Sequence, residues 1–436
     1  MNVYKSSFLI IGKGVTYKHC KKFFNENSIT YVSIDTHEVA EIKDMKIITT
    51  HEGQDSIKKK KIDLKNIDYI VVSPGISKEQ DLIKKILKSN CRITTDIEII
   101  QHISKSKFIC ITGTNGKTST VSLLAEILNK NNKKAIACGN NGISVFDALN
   151  DSYEYVVLEV SSYQLEYIQN LKSEISVILN ISDDHLDRHK TFETYLKIKS
   201  KILTNACHTI TNSYFSIKNN NIFDIKDKYF YINNSKIDNL RLHGFNHISY
   251  KEKKYFITGR HEALNLCACI CILKLLSINI DNIFNVYEKR ENLPHRVELV
   301  NKYNDITFIN DSKSTNVSSI ENALLSNHDN NIILIMGGDK KKTSYQSLNH
   351  IIRVKVKLLV LIGENCDQID SEISVNIKKK LFKKLEDAVE YIFNEMQSGD
   401  TVLFSPGSSS FYKYNNYKVR GNHFKKIIND YVYSQD

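Results

Sequence analysis

Six consecutive residues, Gly113-Thr114-Asn115-Gly116-Lys117-Thr118, have the types that phosphate chemistry requires. Glycines let backbone N–H groups turn toward phosphate oxygens, and the N-terminus of a following helix adds partial positive charge. In such a loop the lysine reaches the β- and γ-phosphates of a nucleotide and the next hydroxyl sits on Mg2+. Here those residues are Lys117 and Thr118, with Ser119 behind them. The loop is shorter than the common G-x-x-x-x-G-K-[ST] pattern, which would place glycine where Ile111 stands. The flanks favour a phosphate loop over an ordinary glycine turn. Phe108-Ile109-Cys110-Ile111 has strand length and composition, and Val121, Leu124, Ala125 and Leu128 repeat at i, i+3, i+4, i+7 as the core face of a helix.

The neighbouring elements place other polar groups at strand ends, where parallel sheets bind ligands. A first segment reads as a strand at 7–11, a Gly12-Lys13-Gly14 turn, a helix at 17–25 and strands at 31–34 and 70–72. These strands end in Asp35-Thr36 and Ser73-Pro74-Gly75. The G-x-G-x-x-G fingerprint is incomplete, since Tyr17 takes the third glycine's place. A segment boundary is expected near Arg92. Strands at 155–158 and 177–180 follow, the first leading to Glu159 and the second to Asp183-Asp184-His185-Leu186-Asp187-Arg188-His189. Glu159 suits a second Mg2+ ligand and a plain rim carboxylate equally. The Asp/His cluster suits a hard cation or a solvated loop. Lys199 reads as a helix-surface lysine without a role. Residues 212–255 read as an irregular strand-and-loop insertion, with a helix starting near Glu262. Strands at 306–310, 332–336, 358–362 and 402–404, with a helix at 381–393, form a doubly wound α/β segment with a polar rim.

Composition sets outer limits. A chain of 436 residues, 41% hydrophobic and 25% charged, is globular, and its length suggests about three domains. The net charge of +11 favours anionic partners, but the lysines are scattered rather than gathered on one face with aromatics, which argues against nucleic acid. Nine cysteines form no C-x-x-C pair, and Cys267, Cys269 and Cys271 lie in an apolar run as small core side chains. Reduced thiols in the cytosol are expected. No apolar stretch approaches the roughly 18 residues of a membrane span, and Phe8-Leu9-Ile10-Ile11 is too short for a signal peptide.

Read in order, the motifs resemble the Mur ligases, the ATP-dependent enzymes that build the peptide stem of bacterial cell wall. The resemblance rests on Thr112–Thr118, Glu159–Glu166, Asn180–Asp187, Leu293-Pro294-His295-Arg296, Asn310–Asn316, Gly337–Lys341, Ser405–Phe411 and Arg420-Gly421. It implies a three-domain α/β architecture: a Rossmann-like UDP-binding domain (1–92), a central phosphate-loop ATPase domain (93–292) and a doubly wound C-terminal domain for the incoming amino acid (293–436). Length and the last three motifs are most similar to members that add D-glutamate to UDP-N-acetylmuramoyl-L-alanine.

The resemblance also implies roles at matched positions. Gly113, Thr114, Asn115, Gly116, Lys117, Thr118 and Ser119 would hold ATP phosphates, with Asn265, Arg296 and Asp311 as further nucleotide contacts. Thr118 and Glu159 would hold one Mg2+. His185 would serve a second, with Lys199 as a carbamylated, carboxylate-like ligand. Asp35, Thr36, Ser73, Gly75, Asn140, Ser161 and Gln164 would face the UDP-muramoyl substrate and Thr315, Lys341, Ser410 and Tyr417 the D-glutamate, with Lys313 a further substrate contact. Three positions depart from the family: Glu262 after His261, His37 where arginine is frequent, and Tyr417 in place of phenylalanine. The implied reaction passes through an acyl phosphate that the D-glutamate amine attacks, shielded from water by domain closure. A cytoplasmic monomer is expected. Folylpolyglutamate synthase is the nearest rival, but it lacks a UDP-binding segment before its phosphate loop. A nucleic-acid-binding ATPase would need a concentrated basic face.

Overall fold

The computed structural model describes residues 1–43, 46–53, 56–88, 91–213, 221–243, 247–257, 259–289, 293–327, 330–340, 343–411 and 413–435. The chain divides into two compact units. One comprises Met1–Ile181, Glu193–Phe223 and Ala268–Asn282, the other Ser182–Phe192, Asp224–Cys267 and Ile283–Asp436.

Apolar strands alternating with helices build two parallel sheets in the first unit. In one, Phe8–Ile11 lies between Tyr31–Ile34 and Tyr69–Val72, with Arg92–Thr94 beyond the latter. All four side chains of Phe8–Ile11 are buried, as in a strand covered on both faces. The boundary expected near Arg92 meets a strand that still pairs with this sheet. Between the second and third strands lies an antiparallel sheet the sequence reading passed over, Val39–Lys43, Lys46–Gly53 and Ser56–Asp63. Its lysine-rich composition dilutes the apolar alternation that marks a strand, although Ile47 and Ile62 are buried.

The other parallel sheet runs Ala135–Gly139, Tyr155–Glu159, Lys107–Thr112, Lys172–Ile178 and Asn205–Asn212. The helix Lys117–Lys130 leaves the end of the middle strand and buries Val121, Leu124, Ala125 and Leu128, the face expected from their spacing. The strand expected at 177–180 is instead Lys172–Ile178. Its buried serines are tolerated because the Ser173 and Ser176 hydroxyls bond each other at 2.8 Å. The two parallel sheets share one apolar core. Phe23, on the helix Val15–Glu26, stacks on Phe146 at 4.3 Å and 4°, and Tyr167 donates its hydroxyl to the Ile76 carbonyl at 2.8 Å.

In the second unit, Tyr229–Ile232, Ser235–His243, His247–Tyr250 and Lys253–Phe256 form an antiparallel meander, more regular than expected. The helix Arg260–Leu275 is divided between the units, with Cys267 buried in its second-unit part and Cys269 and Cys271 in its first-unit part, all as small core side chains. A six-stranded sheet follows, ordered Glu298–Tyr303, Ile306–Asn310, Thr401–Phe404, Ile332–Met336, Val356–Ile362 and Lys378–Phe382. Only the first pair is antiparallel. Helices cover both faces, Val317–Ser326 and Asn349–Lys355 on one, Leu385–Glu395 and Tyr417–Gln435 on the other. The helix expected at 381–393 begins only at Leu385, because Lys378–Phe382 is the edge strand. Edge strands favour lysine, which hides the strand pattern. Among the described residues no helix is long and apolar enough to cross a membrane.

The Phe23–Phe146 stack generates a prediction for the first unit. Phe146→Ala should destabilise it by about 3–5 kcal/mol in urea unfolding. A loss below about 1 kcal/mol would show that the stack does not join the two sheets' core.

Candidate active site

The phosphate loop is held in a defined shape. Gly116 has φ of 82°, a left-handed conformation open to glycine. The Asn180 side chain clamps the loop from outside: its Oδ1 accepts from the Asn115 N–H at 2.9 Å and its Nδ2 donates to the Asn115 carbonyl at 3.1 Å. The Asn180 carbonyl accepts from Thr114 N–H at 3.0 Å, and Thr114 Oγ1 lies 3.2 Å from the Tyr195 hydroxyl. Lys117 Nζ folds over its own loop, donating to the Gly113 and Thr114 carbonyls at 2.8 Å each. Thr118 and Ser119 occupy the half-buried first turn of the helix, whose N–H groups have no intrahelical acceptors.

Lys199 corrects the reading of its residue type. It is 1% exposed, and Nζ donates to Thr112 Oγ1 at 3.1 Å and to the Gly113 carbonyl at 2.8 Å. The helix Phe192–Ser200 turns this lysine inward, under the phosphate loop. Two ammonium groups therefore converge on one carbonyl.

Glu159 sits beside Ile111 in strand register, at the level where the loop begins. It is 1% exposed, so it is not a solvated rim carboxylate. Oε1 accepts from Asn140 Nδ2 at 2.8 Å, while Oε2 is buried with no hydrogen-bond partner. An orphaned carboxylate oxygen near a hydroxyl-bearing phosphate loop fits a hard cation. Among the described residues no three His, Cys, Asp or Glu side chains gather as a metal cluster. Asn140, expected near the substrate, also helps to hold Glu159 through its bond to Oε1.

Ser161 and Gln164 form a reciprocal cap on the helix Ser162–Tyr167, with Ser161 N–H donating to Gln164 Oε1 at 2.9 Å and Gln164 N–H to Ser161 Oγ at 3.2 Å. At the first sheet, Asp35 Oδ1 accepts from Thr36 N–H at 2.7 Å, and Lys13 pairs with Glu38. Ser73 Oγ donates to the Gly12 carbonyl at 3.2 Å. A Cβ on Gly12, at φ of 93°, would come within 2.7 Å of Ile76, while one on Gly75 would meet open space.

The second unit carries the remaining candidates. His185, at φ of 55°, donates its N–H to Asp184 Oδ1 at 2.9 Å. Asp184 is buried and its Oδ2 accepts from Asn316 Nδ2 at 3.1 Å. Asn265 is buried on the helix Arg260–Leu275, and burial lowers the pKa of His261 on the same helix. Lys313 Nζ lies 4.1 Å above the Tyr417 ring, which meets His295 edge-on at 5.9 Å. Thr315 is half-buried and Ser410 is buried. Lys341 lies outside the described residues.

Asp311 is buried beneath these groups. Ser405 Oγ donates to its Oδ2 at 2.8 Å and the Val297 N–H to its Oδ1 at 3.3 Å. Burial pushes its carboxyl up to about 7, against the lowering effect of those hydrogen bonds and of Arg296 and Arg420. Arg420 was given no role from sequence, yet it is only 1% exposed. Its guanidinium donates to Ser312 Oγ (3.0 Å), Ser312 O (2.8 Å), Ser408 O (2.9 Å) and Ser409 O (3.1 Å). The available signal was helix spacing: Arg420, Phe424 and Ile428 recur every four residues on one buried face.

Comparison with known proteins places this geometry among relatives. The family model described as Mur ligase middle domain matches residues 111–273, and that described as Mur ligase, glutamate ligase domain matches 295–407. A protein of Caldicellulosiruptor bescii named UDP-N-acetylmuramoylalanine--D-glutamate ligase is 35% identical over 385 residues, 84% of each chain. One of the same name from Buchnera aphidicola subsp. Baizongia pistaciae is 32% identical over 99% of each chain. The crystal structure of the UDP-N-acetylmuramate-alanine ligase MurC from Thermotoga maritima has the same fold, with a TM-score of 0.62 at 15% identity over 98% of this chain and 99% of that one.

The raised carboxyl of Asp311 makes stability depend on pH with a definite sign. The folded state favours the protonated form, so its contribution is intact below about pH 4 and is lost as pH rises through about 7. Asp311→Asn should therefore gain stability over the parent across that window, by up to about 4 kcal/mol, and stay level above it. Urea unfolding of both proteins between pH 4 and 8 measures this; a difference independent of pH would refute it.

Proposed function

The chain belongs to the Mur ligase family, and from that membership we propose that it joins D-glutamate to UDP-N-acetylmuramoyl-L-alanine in an ATP-dependent step of peptidoglycan synthesis. The observation that carries the site reading is the clamped phosphate loop with Lys117 across it and the orphaned Glu159 oxygen beside it.

The chemistry follows from what these side chains can hold. Lys117 offsets charge on the γ-phosphoryl group as the substrate carboxylate attacks it, leaving an acyl phosphate and ADP. The D-glutamate amine then attacks the acyl carbon, and phosphate departs as the amide forms. Thr118 and Glu159 hold the first Mg2+ in this reading, and His185 serves a second. When bound, such an ion supplies Lewis-acid neutralisation of phosphate oxygens. Lys199 would act after carbamylation, which exchanges its ammonium for a carboxylate-like ligand. Asn265, Arg296 and Asp311 are assigned to the nucleotide; Asp35, Thr36, Ser73, Gly75, Asn140, Ser161 and Gln164 to the UDP-muramoyl substrate; Thr315, Lys341, Ser410 and Tyr417 to D-glutamate, with Lys313 a further substrate contact. Segments 1–92, 93–292 and 293–436 are proposed to bind UDP, ATP and the amino acid respectively, in a cytoplasmic monomer.

The test is phosphate release from ATP with UDP-N-acetylmuramoyl-L-alanine, comparing D-glutamate with L-glutamate, L-lysine and diaminopimelate. Release that depends on D-glutamate is expected, with the muramoyl dipeptide as product; release with another amino acid would overturn the choice of substrate. Lys117→Ala should abolish turnover while leaving the unfolding transition in place. Activity near that of the parent would remove the phosphate loop from the mechanism.

A further inference from the structure

A buried polar cluster in the second unit has no part in the roles above. Asn365 is 1% exposed, and Tyr345 and Ser408 are fully buried. Asn365 Nδ2 donates to the Tyr345 hydroxyl at 2.9 Å and to Ser408 Oγ at 2.7 Å, and those two hydroxyls are 2.8 Å apart. Asn365 Oδ1 accepts from the Gly338 N–H at 2.8 Å. One amide thus joins the turns that follow three parallel strands, Ile332–Met336, Val356–Ile362 and Thr401–Phe404.

The turns meet backbone to backbone around it. A Cβ on Gly337, at φ of 115°, would lie 1.9 Å from the Ile362 carbonyl oxygen, and one on Gly363, at φ of 88°, 2.7 Å from that of Gly338. Asp339 N–H donates to the Ser409 carbonyl at 3.2 Å and Glu364 N–H to that of Gly338 at 2.8 Å. Phe411 N–H reaches Asp339 Oδ2 at 3.0 Å. Ser410 lies between these anchors, two residues beyond Ser408. A buried network with its donors and acceptors matched is stiff, and losing one member strands the others. A binding hydroxyl must hold its place to within about 0.5 Å, which a free turn does not achieve.

We propose that Asn365 is a positioning residue for the amino-acid subsite, fixing the Gly337–Gly338 turn and the Ser408–Ser410 segment so that Ser410 meets the carboxylate of the incoming amino acid. The inference rests on the ligase reading above and on Ser410 as part of that subsite. Asn365 does not touch substrate; it acts through the backbone it holds.

Steady-state kinetics of the full chain separate this role from a merely structural one. Asn365→Ala should raise KM for D-glutamate by about tenfold or more, with KM for ATP and for UDP-N-acetylmuramoyl-L-alanine changed less than about twofold. Tyr345→Phe should raise it less, since Asn365 keeps Gly338 and Ser408. Asn365→Asp should restore much of the affinity, because a carboxylate still accepts from Gly338 and both hydroxyls can turn to donate to it. If Asn365→Ala does not fold, Tyr345→Phe alone is judged by the same three KM values. Unchanged KM for D-glutamate, or equal rises in all three, would overturn the proposal. A parent protein that fails to use D-glutamate would instead overturn the ligase reading.

Discussion

The paired hydrogen bonds between the Asn180 amide and the Asn115 backbone impose a constraint on most of the first unit. A loop built to present N–H groups to an anion cannot be held together mainly by those N–H groups. It has to be gripped by its carbonyls and by outside side chains. The carbonyl of Gly113 takes Lys117 and Lys199, that of Thr114 takes Lys117, and that of Asn115 takes Asn180. The acceptor side of the loop is occupied, and the helix that follows directs its first-turn donors outward by its own geometry. Strand Lys107–Thr112 sits mid-sheet so that Asn180, just past the neighbouring strand, can reach across.

The same grip concentrates charge. Two ammonium groups share the Gly113 carbonyl at 2.8 Å each, one of them on a lysine 1% exposed. Glu159 is the complementary case: one oxygen satisfied by Asn140, the other buried without a donor. The unpaired Glu159 oxygen fits the hard cation proposed for this site.

Much of this was legible from residue pattern. The strand Lys107–Thr112, the glycine turn after it and the buried helix face follow from residue pattern, because a period of 3.6 after an apolar run leaves few alternatives. The burial of Lys199 and Arg420 did not follow, since residue type argues for the surface and only tertiary packing turns them inward. Lys378–Phe382 failed for the opposite reason: an edge strand protected by lysines has lost the alternation by which strands are recognised. Asn365 left no signal, because a single asparagine after a strand is ordinary turn chemistry until its partners are known.

The second unit shows why turns, more than strands, carry the discrimination proposed for it. Arg420 stays charged at any accessible pH, and its guanidinium is met by the carbonyls and hydroxyl of Ser312, Ser408 and Ser409. Asp311 lies close enough for that charge to act on it, yet burial still drives its carboxyl up to about 7. Hydroxyls and a lysine would accept many carboxylates. In the reading proposed above, selection among them comes from where the turns hold those groups, and the Asn365 amide and the Arg420 guanidinium both bond to those turns. A parallel sheet supplies the rim; on that reading the buried donors beneath it decide which acid the rim fits.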